Sequence, residues 1–213
     1  MHSVPELEPH SYIMPKQHDV IPFVEPIQVL QCEDSGGTFT SKPHEVGLYI
    51  PEGAVDPNFS LNLEFGVTLH GPFVFAKDAK MKPVSPIVWL SVQEELPFNR
   101  HIELTLPHPI DCSEDPSILA FYKAQKKGRK YLFQRMRNPG FGIDRGIGKV
   151  QTKLSKGPYL ICIAARATQD LVNKTNYCII KAMPKSTDEP LWKVQFCVSF
   201  FLPTCIEVRN SLN

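Results

Sequence analysis

The residues able to do chemistry in this chain are its seven histidines, its six cysteines and its serines. The histidines, His2, His10, His18, His44, His70, His101 and His108, all fall in the first 108 residues. No two stand at the i, i+4 spacing that puts a metal pair on one helix face. His101 and His108 flank one apolar stretch and read as turn or surface residues. The cysteines, Cys32, Cys112, Cys162, Cys178, Cys197 and Cys205, include no Cys-x-x-Cys spacing, so a zinc site of the usual kind is not encoded. A Gly-x-Ser-x-Gly elbow is also missing. A cysteine and a histidine can meet in space without a local signature, but cysteines inside apolar runs are by default buried thiols. The segment Gly140-Phe141-Gly142-Ile143-Asp144-Arg145-Gly146-Ile147-Gly148 invites a phosphate-loop interpretation. It lacks the Gly-Lys-Ser/Thr ending and a following helix, so a loop between strands is expected instead. The sequence thus predicts no catalytic residue, no metal and no cofactor.

Charge is the stronger signal. Net charge is +1, yet residues 1–122 carry six bases against seventeen acids. Residues 123–156 carry eleven bases (Lys123, Lys126, Lys127, Arg129, Lys130, Arg135, Arg137, Arg145, Lys149, Lys153 and Lys156) against Asp144 alone. Clustered charge raises the local potential and steers an opposite charge toward it. Lys123, Lys126, Lys127, Arg129, Lys130, Arg135 and Arg137 are therefore the candidate partner-binding residues, with an acidic protein surface as first partner and anionic lipid as second. The plain alternative is a solvated face neutralised by the acidic N-terminal half. Nucleic acid is not expected, because no recognition motif accompanies the block, and neither Trp89 nor Trp192 belongs to an aromatic platform for bases.

The elements that must position these residues are strands. Twenty prolines, roughly twice average usage, recur through the first 116 residues. Proline breaks helix interiors but is tolerated at strand ends, edges and turns. An all-β chain, an antiparallel β-sandwich with less than about 10% helix, is expected. Alternation and turn residues place strands at 28–32, 37–40, 46–50, 61–69, 87–92 and 102–106. Two runs, 118–124 and 130–136, flank Gln125-Lys126-Lys127-Gly128-Arg129 and form a hairpin with a basic tip. Further pairs are expected at 149–154 with 159–165 and at 175–182 with 194–202. Residues 1–26, with five prolines and no periodicity, are expected to form a disordered tail. The first twenty residues do not resemble a signal peptide, and the longest apolar run, Leu160–Ala165, is far short of a spanning helix. A cytoplasmic chain with free thiols is expected, one that leaves the sequons at Asn58 and Asn173 unused.

Gly36-Gly37-Thr38-Phe39 followed by Val46-Gly47-Leu48-Tyr49-Ile50-Pro51-Glu52-Gly53-Ala54 resembles the opening of the ZU5 domain. That domain is shared by zonula occludens proteins, netrin receptors of the uncoordinated type, ankyrins and death-domain adaptors. The resemblance continues through Pro83–Val88 and Ile102-Glu103-Leu104-Thr105-Leu106-Pro107-His108, covering roughly residues 32–165. Residues 27–168 are accordingly expected to be a ZU5-like domain, and 169–213 a partial UPA-like or extra β segment. The resemblance implies structural roles for Gly36, Gly37, Ile50, Pro51, Gly53, Ala54, Pro107 and His108. It implies a non-enzymatic scaffold or interaction module, holding a spectrin-like cytoskeletal or signalling partner in the cytoplasm or in the intracellular part of a receptor. Some adaptor relatives instead cut themselves at a Phe-Ser step in a late strand. Here the Phe-Ser step is Phe59-Ser60, in an early segment, and the late strands read Tyr159-Leu160-Ile161-Cys162 and Val198-Ser199-Phe200.

Overall fold

In the computed structural model the described residues are 5–7, 9–13, 21–42, 44–69, 71–75, 80–94, 97–110, 116–127, 130–138, 140, 142–144, 146–166, 178–184 and 194–200. They form sixteen strands: β1 (Pro9–Ile13), β2 (Ile27–Cys32), β3 (Gly37–Ser41), β4 (Val46–Ile50), β5 (Leu61–Thr68), β6 (Phe73–Phe75), β7 (Met81–Pro83), β8 (Ile87–Val92), β9 (Ile102–Pro107), β10 (Leu119–Lys127), β11 (Lys130–Arg135), β12 (Ile143–Asp144), β13 (Ile147–Thr152), β14 (Gly157–Arg166), β15 (Cys178–Pro184) and β16 (Val194–Phe200). The helical content of the described residues is one 3-10 turn, Pro116–Ile118.

Sequence pattern decides which sheet each strand joins. In β4 and β9 every second residue is buried, and β13 buries Gly148, Val150 and Thr152 while exposing Ile147 and Lys149. Such strands suit a sheet with one covered face. They lie together in a five-stranded sheet ordered β12-β13-β9-β4-β3. By contrast β8 is buried throughout, and β14 is buried from Tyr159 to Ala165. Unbroken apolar runs need cover on both faces, and these strands lie inside a nine-stranded sheet ordered β1-β2-β5-β8-β14-β10-β11-β6, with β7 also on β14. A main core joins the sheets, with Leu63, Leu90, Phe121 and Ile161 from the large one and Leu48, Leu104 and Val150 from the small one. A second cluster, built on Trp89, Tyr122, Tyr131, Phe133 and Leu160, covers the other face of the large sheet. The architecture is all-β and sandwich-like.

The expected pairing of 149–154 with 159–165 is not formed. Strand β13 pairs with β9, and β14 pairs with β8 and β10. The chain crosses between sheets there because the two strands have different burial requirements. The expected pair near the C-terminus is present as β15 against β16, from Cys178↔Phe200 to Pro184↔Val194.

Several described pieces of the segment expected to be a loose tail are paired with sheet strands. Leu7 donates its amide to Thr38 O, and Thr38 donates to Pro5 O (2.8 Å), so residues 5–7 line the free edge of β3. Strand β1 lines the free edge of β2. Phe23 lies beside Gly66, where a Cβ would come within 2.9 Å of the ring, and meets Trp89 edge-on at 5.7 Å. Edge strands offer unsatisfied backbone groups, and these proline-bounded pieces satisfy them without forming a long strand.

Candidate functional site

The basic hairpin is formed as the sequence predicts, with β10 running on to Lys127 where the sequence suggested an end at residue 124, and β11 ending at Arg135. Residues Tyr122 to Lys127 of β10 pair with Arg135 to Lys130 of β11, leaving a two-residue connection. On its other side β10 pairs with β14 only from Leu119 to Ala124. Gln125, Lys126 and Lys127 therefore run beyond β14 as a ribbon with β11, about 10 Å long at ~3.4 Å per residue, and the β11 residues opposite the first two, Leu132 and Tyr131, are bordered by Val74 and Phe73 of β6.

Alternation gives this ribbon two different faces. Leu119 and Phe121 point into the main core, and Lys123 and then Gln125 continue that row. Opposite them on β11 stand Gln134 and Leu132. Tyr122, Ala124, Tyr131 and Phe133 belong to the second cluster, and their row continues into Lys126 and Arg135. On the first face Lys123, Gln125, Leu132, Gln134 and Met136, with their sequence neighbours Lys126 and Arg135, line a groove of about 450 Å³.

Lys123 differs from the other bases. It is half-buried where the small sheet ends, and its Nζ donates to Thr152 Oγ1 (3.0 Å) and to Lys153 O (3.4 Å). The same atom lies 4.0 Å from the centroid of the Tyr159 ring, the geometry of a cation–π contact. Tyr159 is fixed by a 2.6 Å hydrogen bond between its hydroxyl and Ser155 Oγ. Burial lowers the Lys123 pKa from 10.5, because a desolvated ammonium is disfavoured.

The other predicted bases are distributed around this point. Lys126, Lys130, Arg135 and Arg137 are exposed. Lys127 is the register partner of Lys130, and its side chain lies outside the described set, as does Arg129. Thr152, Tyr159, Gln125, Leu132, Gln134 and Met136 were not singled out from sequence. Strand parity was the available signal for the four residues of the ribbon face. Tyr159 reaches Lys123 only through the β10–β14 register, which carries no local mark.

The motif residues fall in two places. Gly37 pairs with Ile50 across β3 and β4, and Gly53 donates to Asp34 O (2.8 Å). Gly36 has φ +65°, and a Cβ there would clash with the Ile50 carbonyl oxygen and the backbone of Pro51 and Glu52. Ile50 and Ala54 are fully buried and Pro51 half-buried. Pro107 pairs with Ile147, and buried His108 donates its amide to Gly146 O (2.9 Å). The glycine-rich segment makes the β12–β13 turn, with φ +74° at Gly146, while at Gly148 a Cβ would come within 2.5 Å of Ile163.

Phe59 is 51% exposed in a turn where its amide donates to Asp56 O, and Ser60 is exposed beside it. Cys32 and Cys162 are buried free thiols, and burial pushes Cys32 up to about 12 and Cys162 higher still. Among the described residues no three His, Cys, Asp or Glu side chains come together as metal ligands, and no helix is long and apolar enough to cross a membrane. The chain matches no known protein-family model and no curated protein.

Proposed function

We propose that the chain is a non-enzymatic protein-interaction module of the ZU5-like kind, which holds an acidic partner on the β10–β11 ribbon. The observation that carries this reading is the ribbon itself. Its β10 strand runs beyond the buried strand β14, and it exposes Lys126 and Arg135 at a groove and Lys130 at the hairpin end. Exposed bases at a turn end cost little desolvation and stay free to meet carboxylates. The ZU5-like assignment is supported by the way the Gly36-Gly37 and Ile50–Ala54 motifs meet across one hairpin, where Gly36 takes a conformation suited to glycine. Such a module would work as a scaffold in cytoskeletal attachment or receptor signalling, in the cytoplasm.

The test is charge reversal at Lys126, Lys130 and Arg135, each to glutamate, in a pull-down at two salt concentrations. Contacts between exposed charges weaken as salt shortens the ~8 Å screening length. The wild type is expected to lose its bound set at high salt and the variant to lack it at both. A folded variant that retains the same partners would refute the reading.

A further inference from the structure

The groove beside Lys123 has the composition of a peptide site. Lys123, Lys126 and Arg135 supply positive charge, Leu132 and Met136 supply partly buried apolar surface, and the amides of Gln125 and Gln134 can bond a peptide backbone. No acid lines it. Among the described residues no carboxylate forms an ion pair with Lys123, whose neighbours are a hydroxyl, a carbonyl and an aromatic face. A half-buried ammonium has lost part of its hydration and here receives only neutral partners in return. An anion entering the groove would offset this loss, which gives the position more to gain from a ligand than a solvated lysine has.

We propose that this groove is a carboxylate-recognition site for an acidic peptide segment: a glutamate or aspartate side chain meets Lys123 while an adjacent apolar residue rests on Leu132 and Met136. This rests on the ribbon being the partner-binding face and names the feature of the partner that it selects. A volume near 450 Å³ lies in the range of ligand clefts, roughly 300–1,000 Å³, and exceeds what one carboxylate fills. Extended peptides place alternate side chains on one face about 7 Å apart, which matches the Lys123-to-Gln125 step of the ribbon floor. A flat lipid surface would engage the exposed bases at the ribbon end and make no use of the concavity or of Lys123.

The probe is a blocked, fluorescein-labelled peptide of alternating glutamate and leucine, followed by anisotropy, with its glutamine–leucine counterpart as reference. The glutamate peptide is expected to bind at least about tenfold more tightly than the reference, and Lys123→Met to remove about that factor, the size of one charge-assisted hydrogen bond. Lys149→Met, on the outer face of the small sheet, should change nothing. Methyl NMR of the wild type should show the Met136 and Leu132 signals shifting with the glutamate peptide. This measurement stands even where Lys123→Met fails to fold. Equal binding of both peptides, or shifts that bypass Leu132 and Met136, overturns the proposal. Binding to phosphatidylserine vesicles in place of the peptide overturns it in favour of a membrane surface. Should Lys126, Lys130 and Arg135 matter in the pull-down while Lys123→Met binds the peptide normally, the ribbon remains the partner face and the groove falls. Unchanged partners in the charge-reversed pull-down would remove the ribbon reading itself.

Discussion

Replacing Gly37 by alanine should detach the N-terminal segment from the edge of β3. A Cβ at Gly37 would come within 2.6 Å of Leu7 Cδ2 and 3.0 Å of Pro5 O. The β3 backbone is held by β4 from Gly37↔Ile50 to Ser41↔Val46, so the segment at residues 5–7 is the softer side of the clash. Lifting it forfeits the partial burial of Leu7, about 1 kcal/mol if half of a full leucine transfer is lost. It also forfeits the Leu7–Thr38 and Thr38–Pro5 backbone hydrogen bonds, at about 0.5–1.5 kcal/mol each. Gly37→Ala is expected to cost about 2 kcal/mol and Leu7→Ala about 1 kcal/mol. In the double variant the clash with the leucine is gone, so the penalties should fall short of additivity by about 1 kcal/mol. Urea unfolding followed by tryptophan fluorescence gives the cycle. Hydrogen exchange at the Thr38 amide reads the same event locally, and 2 kcal/mol corresponds to exchange about thirtyfold faster in Gly37→Ala. Strictly additive penalties, or a Thr38 amide whose protection is unchanged, would refute the argument that Gly37 is kept small to seat Leu7.

Two further outcomes follow from burial. At pH 8 a thiol with pKa about 12 is almost wholly protonated, and Cys162 lies higher, so iodoacetamide with mass-spectrometric readout should label Cys32 and Cys162 only after unfolding; prompt labelling of either in native protein would contradict their placement. Lys123 has a folded pKa below its ordinary 10.5, so the unfolded chain holds this proton more tightly and the Lys123 contribution to stability rises as pH climbs from the folded value toward 10.5. Urea unfolding at pH 8 and pH 10 should show a smaller difference in Lys123→Met than in wild type, and an equal difference would place this ammonium in water.

Strands whose burial is one-sided were legible in the sequence, because alternation is written into them. Val46, Leu48 and Ile50, and Ile102, Leu104 and Leu106, could be assigned to a core face from their spacing, and Pro107 does end β9. The hairpin of β10 and β11 was legible from Gly128 between two apolar runs. Partnership between distant strands was not. Nothing between Thr152 and Gly157 marks the chain's passage from one sheet to the other; only the continuous apolar run of β14 hints that it needs two covered faces. The short strands β6 and β7 are too brief for a periodic signal, and the parallel contact of Phe73–Phe75 with Tyr131–Phe133 is purely tertiary. In the N-terminal segment the prolines suggested looseness, yet they bound short pieces that serve sheet edges. The candidate site divides in the same way. Its charge was visible as a run of bases, whereas the distinction between Lys123 and its exposed neighbours depends on Thr152, brought to it by the packing of one sheet on the other, and on Tyr159, brought by the β10–β14 register.

That distinction bears on how such a ribbon can acquire a partner without weakening the fold. Along β10 the inward row passes from Leu119 and Phe121, both in the main core, to Lys123 at its margin and to Gln125 in solvent. Along the other row Tyr122 and Ala124, in the second cluster, give way to exposed Lys126. One strand therefore anchors the ribbon at its root, where both faces are packed, and carries exposed Gln125 and Lys126 at its end, opposite Leu132 and the buried Tyr131 of β11. Substitutions beyond Ala124 alter charge and shape at little cost to the core, since surface changes away from packed features usually stay within about 0.5 kcal/mol. Substitutions before Lys123 remove core volume and cost several times more. Lys123 lies at the crossover and couples the two regimes: an acidic segment that meets it contacts the residue whose aliphatic stem adjoins the core. Ligand contact there should be transmitted to Thr152 and Tyr159, and through them to the ends of β13 and β14, whereas contact at Lys126 or Lys130 should leave both strands unperturbed.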